Sequence, residues 1–283
     1  MSDRVKLALF GLHRGSSVDA DTIIRRARLA EAAGFEALWV GDHIALPMHG
    51  ADPAEQPRLE ALVALAYLAA VTTRVRLGVG VIVLPQRQPV LLAKQLTSID
   101  VLSKGRLTVG IGVGYVEQEL RALGASLADR GARADEFLAS MRCLWSEPVP
   151  AFAGEFVSFA DVMQRPLPVQ RPHPPIIVGG HSPAAYRRAV AAANGWYGWQ
   201  LDPEATRRAL ADLGETARRH ERGAHLGPLE ITITPPAALD VDTALRYADL
   251  GVHRLAVQPE TMDGTAIDEL VTYAGDKLIG RLG

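Results

Sequence analysis

The chain has 283 residues, 48% hydrophobic and 22% charged, the composition of an ordinary globular protein and not of a disordered or fibrous one. Thirty basic against 32 acidic residues leave a formal net charge of −2, so no general electrostatic footprint for nucleic acid or an anionic membrane is present. The length permits two domains, although α/β barrels commonly run to about 250 residues as one unit.

Short apolar runs rich in Val and Ile alternate with segments of helical period, which is the signature of βα units on a parallel sheet. The first predicted strand, near Val5–Leu12, precedes a helix near Asp19–Ala33 that stops at Gly34, a residue suited to a left-handed helix end. Strand two, Ala37–Gly41, precedes a helix from about Arg58 to Val71. Strand three, Val75–Val83, is continuously apolar and glycine-rich, as befits a strand buried on both faces. Its helix opens at Pro89, places Leu92, Leu96, Ile99 and Leu102 on one face, and ends at Gly105. Strand four, Arg106–Gly114, leads through a long connection to a helix near Ala132–Trp145. Seven of the 18 prolines then fall between Pro148 and Pro175, a stretch that resembles a linker, with a small hairpin expected at Gly154–Phe159.

Beyond that stretch the alternation resumes. Strand five is Ile176–Gly180, followed by a helix over Ser182–Asn194; strand six is Gly195–Gln200, followed by Pro203–His220. Strand seven, Leu229–Thr234, leads to Val241–Leu250, and strand eight, His253–Gln258, to a terminal helix near Gly264–Ile279. Eight strand and helix pairs without a compositional break predict one α/β domain over residues 1–283, a single (β/α)8 TIM barrel, ahead of a doubly wound open sheet. In such a barrel the loops after strands form the functional face. The proline-rich segment follows a helix and is expected away from it, whereas the connections Asp42–Pro57 and Gly114–Gly131 are expected on it.

Val75–Pro85, the longest apolar stretch, is broken by Arg76 and is shorter than the roughly 18 residues a membrane span needs. Asp3, Arg4 and Lys6 leave no apolar leader of signal-peptide length, so a cytoplasmic location is expected. The single Cys143 falls in a helical pattern with Phe137, Met141, Leu144 and Trp145 and reads as a packed small hydrophobe; it excludes an internal disulfide framework. Neither a helical His pair of zinc-site spacing nor a Gly-x-Ser-x-Gly elbow occurs, so no metal centre and no serine-hydrolase triad are predicted.

Three places on the predicted functional face could carry chemistry. Asp42 and His43 end strand two; an imidazole there can serve as acid, base or polariser, and the adjacent carboxylate can orient it or simply cap the loop. Gly78 and Gly80 on strand three, with Gly110, Gly112 and Gly114 on strand four, suggest a planar or bulky group against the backbone, or else close packing. Their spacing is not the G-x-G-x-x-G of a dinucleotide site. Gly179-Gly180-His181-Ser182 opens a helix with Ser182 as its cap and Pro183 in its first turn, which offers free amides to an anion such as phosphate. Trp196, Tyr197 and Trp199 on strand six read as barrel core or mouth.

With these residues the chain resembles the luciferase-like monooxygenase superfamily, and in particular its deazaflavin-dependent branch. The likeness runs through the segments 34–43, 72–85, 89–107 and 171–183, together with the glycine-rich fourth strand. The resemblance implies a flavin-type coenzyme across the C-terminal barrel mouth, with coenzyme F420 as the leading expectation and FMN as the alternative. It further implies a non-prolyl cis peptide at Gly80–Val81 behind the ring system, His43 near the hydride-transferring carbon with Asp42 beside it, and a phosphate element at Gly179 and Gly180. Where some relatives carry a catalytic Glu after the fourth-strand glycines, this chain has Tyr115, with Gln118 and Glu119 nearby. Arg14 and Arg87 are rim candidates for a polyanionic coenzyme tail. No insertion of the kind many members have follows strand seven, which implies a shallow pocket or one closed by a partner subunit. The expected activity is F420-dependent hydride transfer to or from a small organic substrate by a homodimer; the alternatives are an FMN monooxygenase using oxygen and a non-catalytic flavin-binding protein.

Overall fold

A computed structural model describes residues 5–49 and 54–282. Eight parallel strands close into a barrel: β1 Lys6–Phe10, β2 Ala37–Val40, β3 Arg76–Val83, β4 Leu107–Gly112, β5 Ile176–Gly179, β6 Gly195–Trp199, β7 Glu230–Thr234 and β8 Arg254–Val257. Each pairs with its successor, and β8 returns to β1 through the register Leu7 to Leu255. The helices are α1 Ala20–Ala33, α2 Ala61–Val71, α3 Pro89–Leu102, α4 Glu117–Ala122, α5 Arg130–Ser146, α6 Pro183–Ala192, α7 Pro203–Arg219, α8 Val241–Asp249 and α9 Ala266–Tyr273. The predicted (β/α)8 architecture is therefore what forms, and the open sheet is not. Among the described residues no helix is long and apolar enough to cross a membrane.

Local signals set most helix ends. Asp19 caps α1 by accepting from the Thr22 amide, and Gly34 closes it at φ 96°, a left-handed conformation that glycine adopts without Cβ strain. α2 begins three residues later than expected. Residues 57–59 instead run extended against the loop after β1, where Arg14 and Arg58 form an antiparallel bridge and Leu59 donates its amide to the His13 carbonyl at 2.7 Å. α4 was missed within the long connection, because six residues make too short a periodic pattern to read. α9 starts at Ala266 and passes into a wider π turn at Ala274–Leu278.

Gln164 and Arg165 of the proline-rich segment reach Val90 and Lys94 near the start of α3, so the segment is not confined to the N-terminal ends of the strands as expected; only its later part lies there, beside β4. Asp100 holds it there by accepting from the amides of Val169 and Gln170, and the Gln170 side chain donates to the Leu107 carbonyl at 2.7 Å. Its hairpin pairs Phe152–Ala153 with Ser158–Phe159. Glu136 on α5 fastens the turn by accepting from the amides of Glu155, Phe156 and Val157.

Inside the barrel, Ala8, Phe10, Ala37, Trp39, Ile177, Tyr197 and Ala256 form a packed plug distinct from the larger core between strands and helices. Trp39 meets Tyr197 edge-on at 5.2 Å, and the Tyr197 hydroxyl bonds the Thr234 hydroxyl at 2.7 Å. Below them Arg254, only 4% exposed, is paired with Glu36 and Glu230. The strand-three glycines have a steric explanation here: a Cβ on Gly78 would lie 2.4 Å from the Trp39 indole, and one on Gly80 2.9 Å from it. The plug thus closes the barrel from beneath and leaves its upper end for the site.

Candidate active site

A cavity of about 540 Å³ opens at the C-terminal end of the strands. Its wall includes Gly80 and Val81 of β3, Gly112 at the end of β4, Gly114 and Tyr115 just beyond, and Gly179, Gly180 and His181 at the end of β5. His43 stands on the same wall, so residues predicted from three separate stretches of chain converge. The Gly80–Val81 peptide is cis, and the register between β3 and β4 shifts between Val79 and Ile82. Val81 is wedged between two glycines: a Cβ on Gly112 would lie 2.6 Å from one of its methyls, and a Cβ on Gly179 2.8 Å from the other. These glycines therefore make room for a side chain of the protein itself as well as leaving the cavity wall bare.

Gln118 and Ser182 are placed differently from the expectation. Gln118 is exposed on α4 and is not part of the wall. Ser182 caps α6 by accepting from the Ala185 amide at 3.2 Å, and it too lies off the wall. The turn before it is braced by aromatic groups: Trp196 Nε1 donates to the Gly180 carbonyl at 2.8 Å, and His181 Nε2 accepts from the Trp199 amide at 3.1 Å. Burial pushes the His181 imidazole below its ordinary range.

Asp42 and His43, adjacent in sequence, have separate surroundings. The Asp42 carboxylate is fully buried, accepts from the Val83 amide at 3.0 Å and from Arg87 Nε at 3.1 Å, and is paired with the Arg87 guanidinium. Arg87 also reaches Glu60 at 2.7 Å, so this half-buried arginine braces the ends of β2 and β3 against α2 and is not a free rim group. The carboxylate bonded to His43 is Glu119, whose Oε2 lies 2.9 Å from His43 Nδ1. Its other oxygen accepts from the amides of Ile44 at 2.5 Å and Ala45 at 3.1 Å. Burial pushes the Glu119 carboxyl upward, but the hydrogen bonds from His43 and the two amides outweigh it and hold it below the usual carboxylate range. Tyr115 meets the His43 ring edge-on at 6.0 Å.

Tyr197 and Trp199 of β6, read from the sequence as barrel core or mouth, and Arg14, read as a rim candidate, also line this wall, together with Phe10 and His13 from the end of β1 and its loop and Arg58 from the stretch before α2, which the sequence reading passes over. Arg14 Nη2 donates to Gln258 at 2.7 Å, and its guanidinium lies 5.5 Å from the Phe10 ring centre. The signal for His13 was available, since it follows the C-terminal end of the first strand, where barrel enzymes place functional groups.

His13 is 3% exposed, and its ring accepts from the Gly41 amide at 3.1 Å. Burial, reinforced by Arg14, Arg58 and His43, pushes its pKa from 6.5 down to about 3. The folded state therefore resists a proton that the unfolded chain takes up. Stability is fully present above pH 6.5 and declines as pH falls from there toward about 3. Thermal melts of the wild type and His13→Gln across that window are expected to show a steeper acid loss in the wild type; parallel curves would contradict a neutral buried imidazole.

A family model for luciferase-like monooxygenases matches residues 6–270, and the chain belongs to that family. An uncharacterised protein of Mycobacterium tuberculosis is 34% identical over 238 residues, which cover 80% of this chain and 81% of that protein. An FMNH2-dependent dimethylsulfone monooxygenase of Pseudomonas putida is 32% identical over 68% of this chain and 52% of its own. Among solved structures, an F420-dependent secondary alcohol dehydrogenase bound to an F420–acetone adduct superposes with a TM-score of 0.80 at 15% identity, covering 98% of each chain.

Proposed function

We propose that the chain is a flavin-type oxidoreductase that uses coenzyme F420 to move hydride to or from a small organic substrate, with His43 managing the accompanying proton. The observation that carries this reading is the shared cavity: the His43 imidazole, anchored through Nδ1, stands on one wall with the glycine-lined surface around Val81. The space suits the coenzyme's ring system, because about 540 Å³ lies within the roughly 300–1,000 Å³ of cofactor sites and Gly112, Gly114, Gly179 and Gly180 contribute only backbone to its wall. When bound, the deazaflavin supplies a two-electron hydride carrier. Val81 and the Gly179–Gly180 turn would hold the coenzyme. Arg14 and Arg58 would draw anionic groups toward the mouth. His43 Nε2 would accept the proton of a substrate hydroxyl, or return it to a carbonyl oxygen, as the direction of reaction demands. Asp42 acts through structure in this scheme, by locking the end of β2 to β3.

A second reading, FMN-dependent monooxygenation with oxygen, draws support from the Pseudomonas putida relative. Fluorescence titration of the purified protein with F420 and, separately, with FMN distinguishes them. Saturable F420 binding at micromolar concentration, at least about tenfold tighter than FMN, is expected, a difference of about 1.4 kcal/mol. Saturation by FMN with no response to F420 would overturn the proposal in favour of the second reading. Coenzyme that binds but is never turned over across a broad panel of alcohols and carbonyl compounds would favour a binding protein.

A further inference from the structure

We propose that Glu119 is a positioning residue that fixes the proton of the neutral His43 imidazole on Nδ1, so that Nε2 presents its lone pair to the cavity. This deepens the reading of His43 given above and rests on it for its catalytic meaning. Its structural content, the tautomer, is independent of any coenzyme or substrate.

Glu119 lies on α4, in the loop after β4, and its side chain is only 2% exposed. One of its oxygens is committed to two backbone amides, Ile44 and Ala45, in the loop after β2. The other meets His43 Nδ1 at 2.9 Å. An ionised carboxylate can only accept, so the Nδ1 facing it must carry the hydrogen. His43 Nε2 has no partner among the described residues, and it is the nitrogen left to act in the cavity. Three hydrogen bonds accepted by one carboxylate also tie the loops after β2 and β4 together across the end of β3, which carries Val81 at the same cavity. A second ring nitrogen bonded to a buried carboxylate is the general means by which proteins choose a histidine tautomer and hold the ring's orientation.

The substitution Glu119→Gln separates the proton rule from the loop clamp. The amide oxygen is pinned by the Ile44 and Ala45 amides, since the NH2 group cannot accept from them. The NH2 group is then turned toward Nδ1 as a donor, and His43 must accept there and carry its hydrogen on Nε2. The variant keeps the shape and both backbone bonds while inverting the tautomer.

The test uses protein labelled with 15N-histidine, with His43 assigned among the eight histidines by its loss in His43→Ala. Proton–nitrogen correlation spectra of the neutral ring are expected to show Nδ1–H in the wild type and Nε2–H in Glu119→Gln. Carbethoxylation of His43 by diethyl pyrocarbonate, followed by mass spectrometry at fixed pH, is expected to slow about tenfold or more in the variant, because its Nε2 lone pair is gone. With a substrate in hand, kcat is expected to fall by about 10²-fold, within the range of lost acid–base catalysis, while coenzyme affinity holds within about threefold. A wild type with Nε2–H, or a variant whose tautomer and reactivity match the wild type, overturns the proposal. If Glu119→Gln does not fold, the wild-type spectrum decides: an Nδ1 proton shifted downfield by a charge-assisted bond supports the assignment, and its absence overturns it. Normal turnover in His43→Ala would overturn the catalytic reading alone, leaving the tautomer result standing.

Discussion

Replacing His43 with Ala is expected to lower turnover by about 10²–10⁴-fold, the usual span for a positioned acid or base, with coenzyme affinity changed by less than about threefold. The split follows from where the side chain stands. His43 lines the cavity, but among the described residues its one hydrogen bond is to Glu119, and the residues proposed to hold the coenzyme belong to β3, β4 and the turn after β5. Removing the imidazole therefore takes away the proton site and leaves the coenzyme's wall intact. Single-turnover oxidation of reduced coenzyme, set beside fluorescence titration, measures the two quantities separately. A variant that loses affinity in proportion to rate would show that His43 contributes binding and not chemistry.

The substitution Gly112→Ala is expected to weaken coenzyme binding by about 10- to 100-fold, or about 1.4–2.8 kcal/mol. The added methyl would lie 2.6 Å from a Val81 methyl, and Val81 cannot retreat because its other methyl already occupies the space a Gly179 Cβ would take. A β-branched side chain has little rotamer freedom with which to relieve the overlap, so Val81 must move into the cavity. A stability loss of about 1–3 kcal/mol is expected alongside, the common cost of overpacking. Gly214→Ala in α7 is the control, since a methyl there meets nothing within 4 Å and should leave affinity unchanged. Coenzyme titration and a thermal melt of each protein check both parts. Wild-type affinity in Gly112→Ala would mean that the coenzyme does not lie against Val81.

Much of this fold was legible because its signals are local. The apolar runs at Leu7–Phe10, Ala37–Val40 and Ile176–Val178 are short, buried and followed by capped helices, and each became a barrel strand. Asp19 with Gly34, Pro89, and Ser182 with Pro183 act within one turn of chain, and the helices begin or end where those residues place them. α4 and the start of α2 were not legible. The first is too short to show a period, and the second yields to an extended pairing of Arg58 with Arg14, 44 residues away in sequence.

The site divides in the same way. Gly80, Gly112, Gly114, His43 and the Gly179–Gly180 turn could be found from their places at strand ends and lie on one cavity wall, whereas Gly78 and Gly110 lie off it, against Trp39 and the Val79 carbonyl. Their partners could not. Adjacency suggested Asp42 as the carboxylate beside His43, yet successive residues leaving a strand point apart, and Asp42 turned to Arg87 and Val83 while His43 met Glu119, 76 residues further on. Gly78 and Gly80 suggested room for a ligand, and the first claimant of that room is Trp39 from the neighbouring strand.

Sequence by itself determined the eight-fold alternation, the end of the barrel at which function gathers and several of the residues exposed there, since periodicity, capping and turn chemistry act over a few residues. Only tertiary structure decided which carboxylate holds His43, that Arg87 braces β2 and β3 against α2, that His13 is buried without charge, and that Val81 is gripped between Gly112 and Gly179. Those facts depend on hydrogen bonds and van der Waals contacts between strands far apart in the chain, which exist only once the barrel has closed.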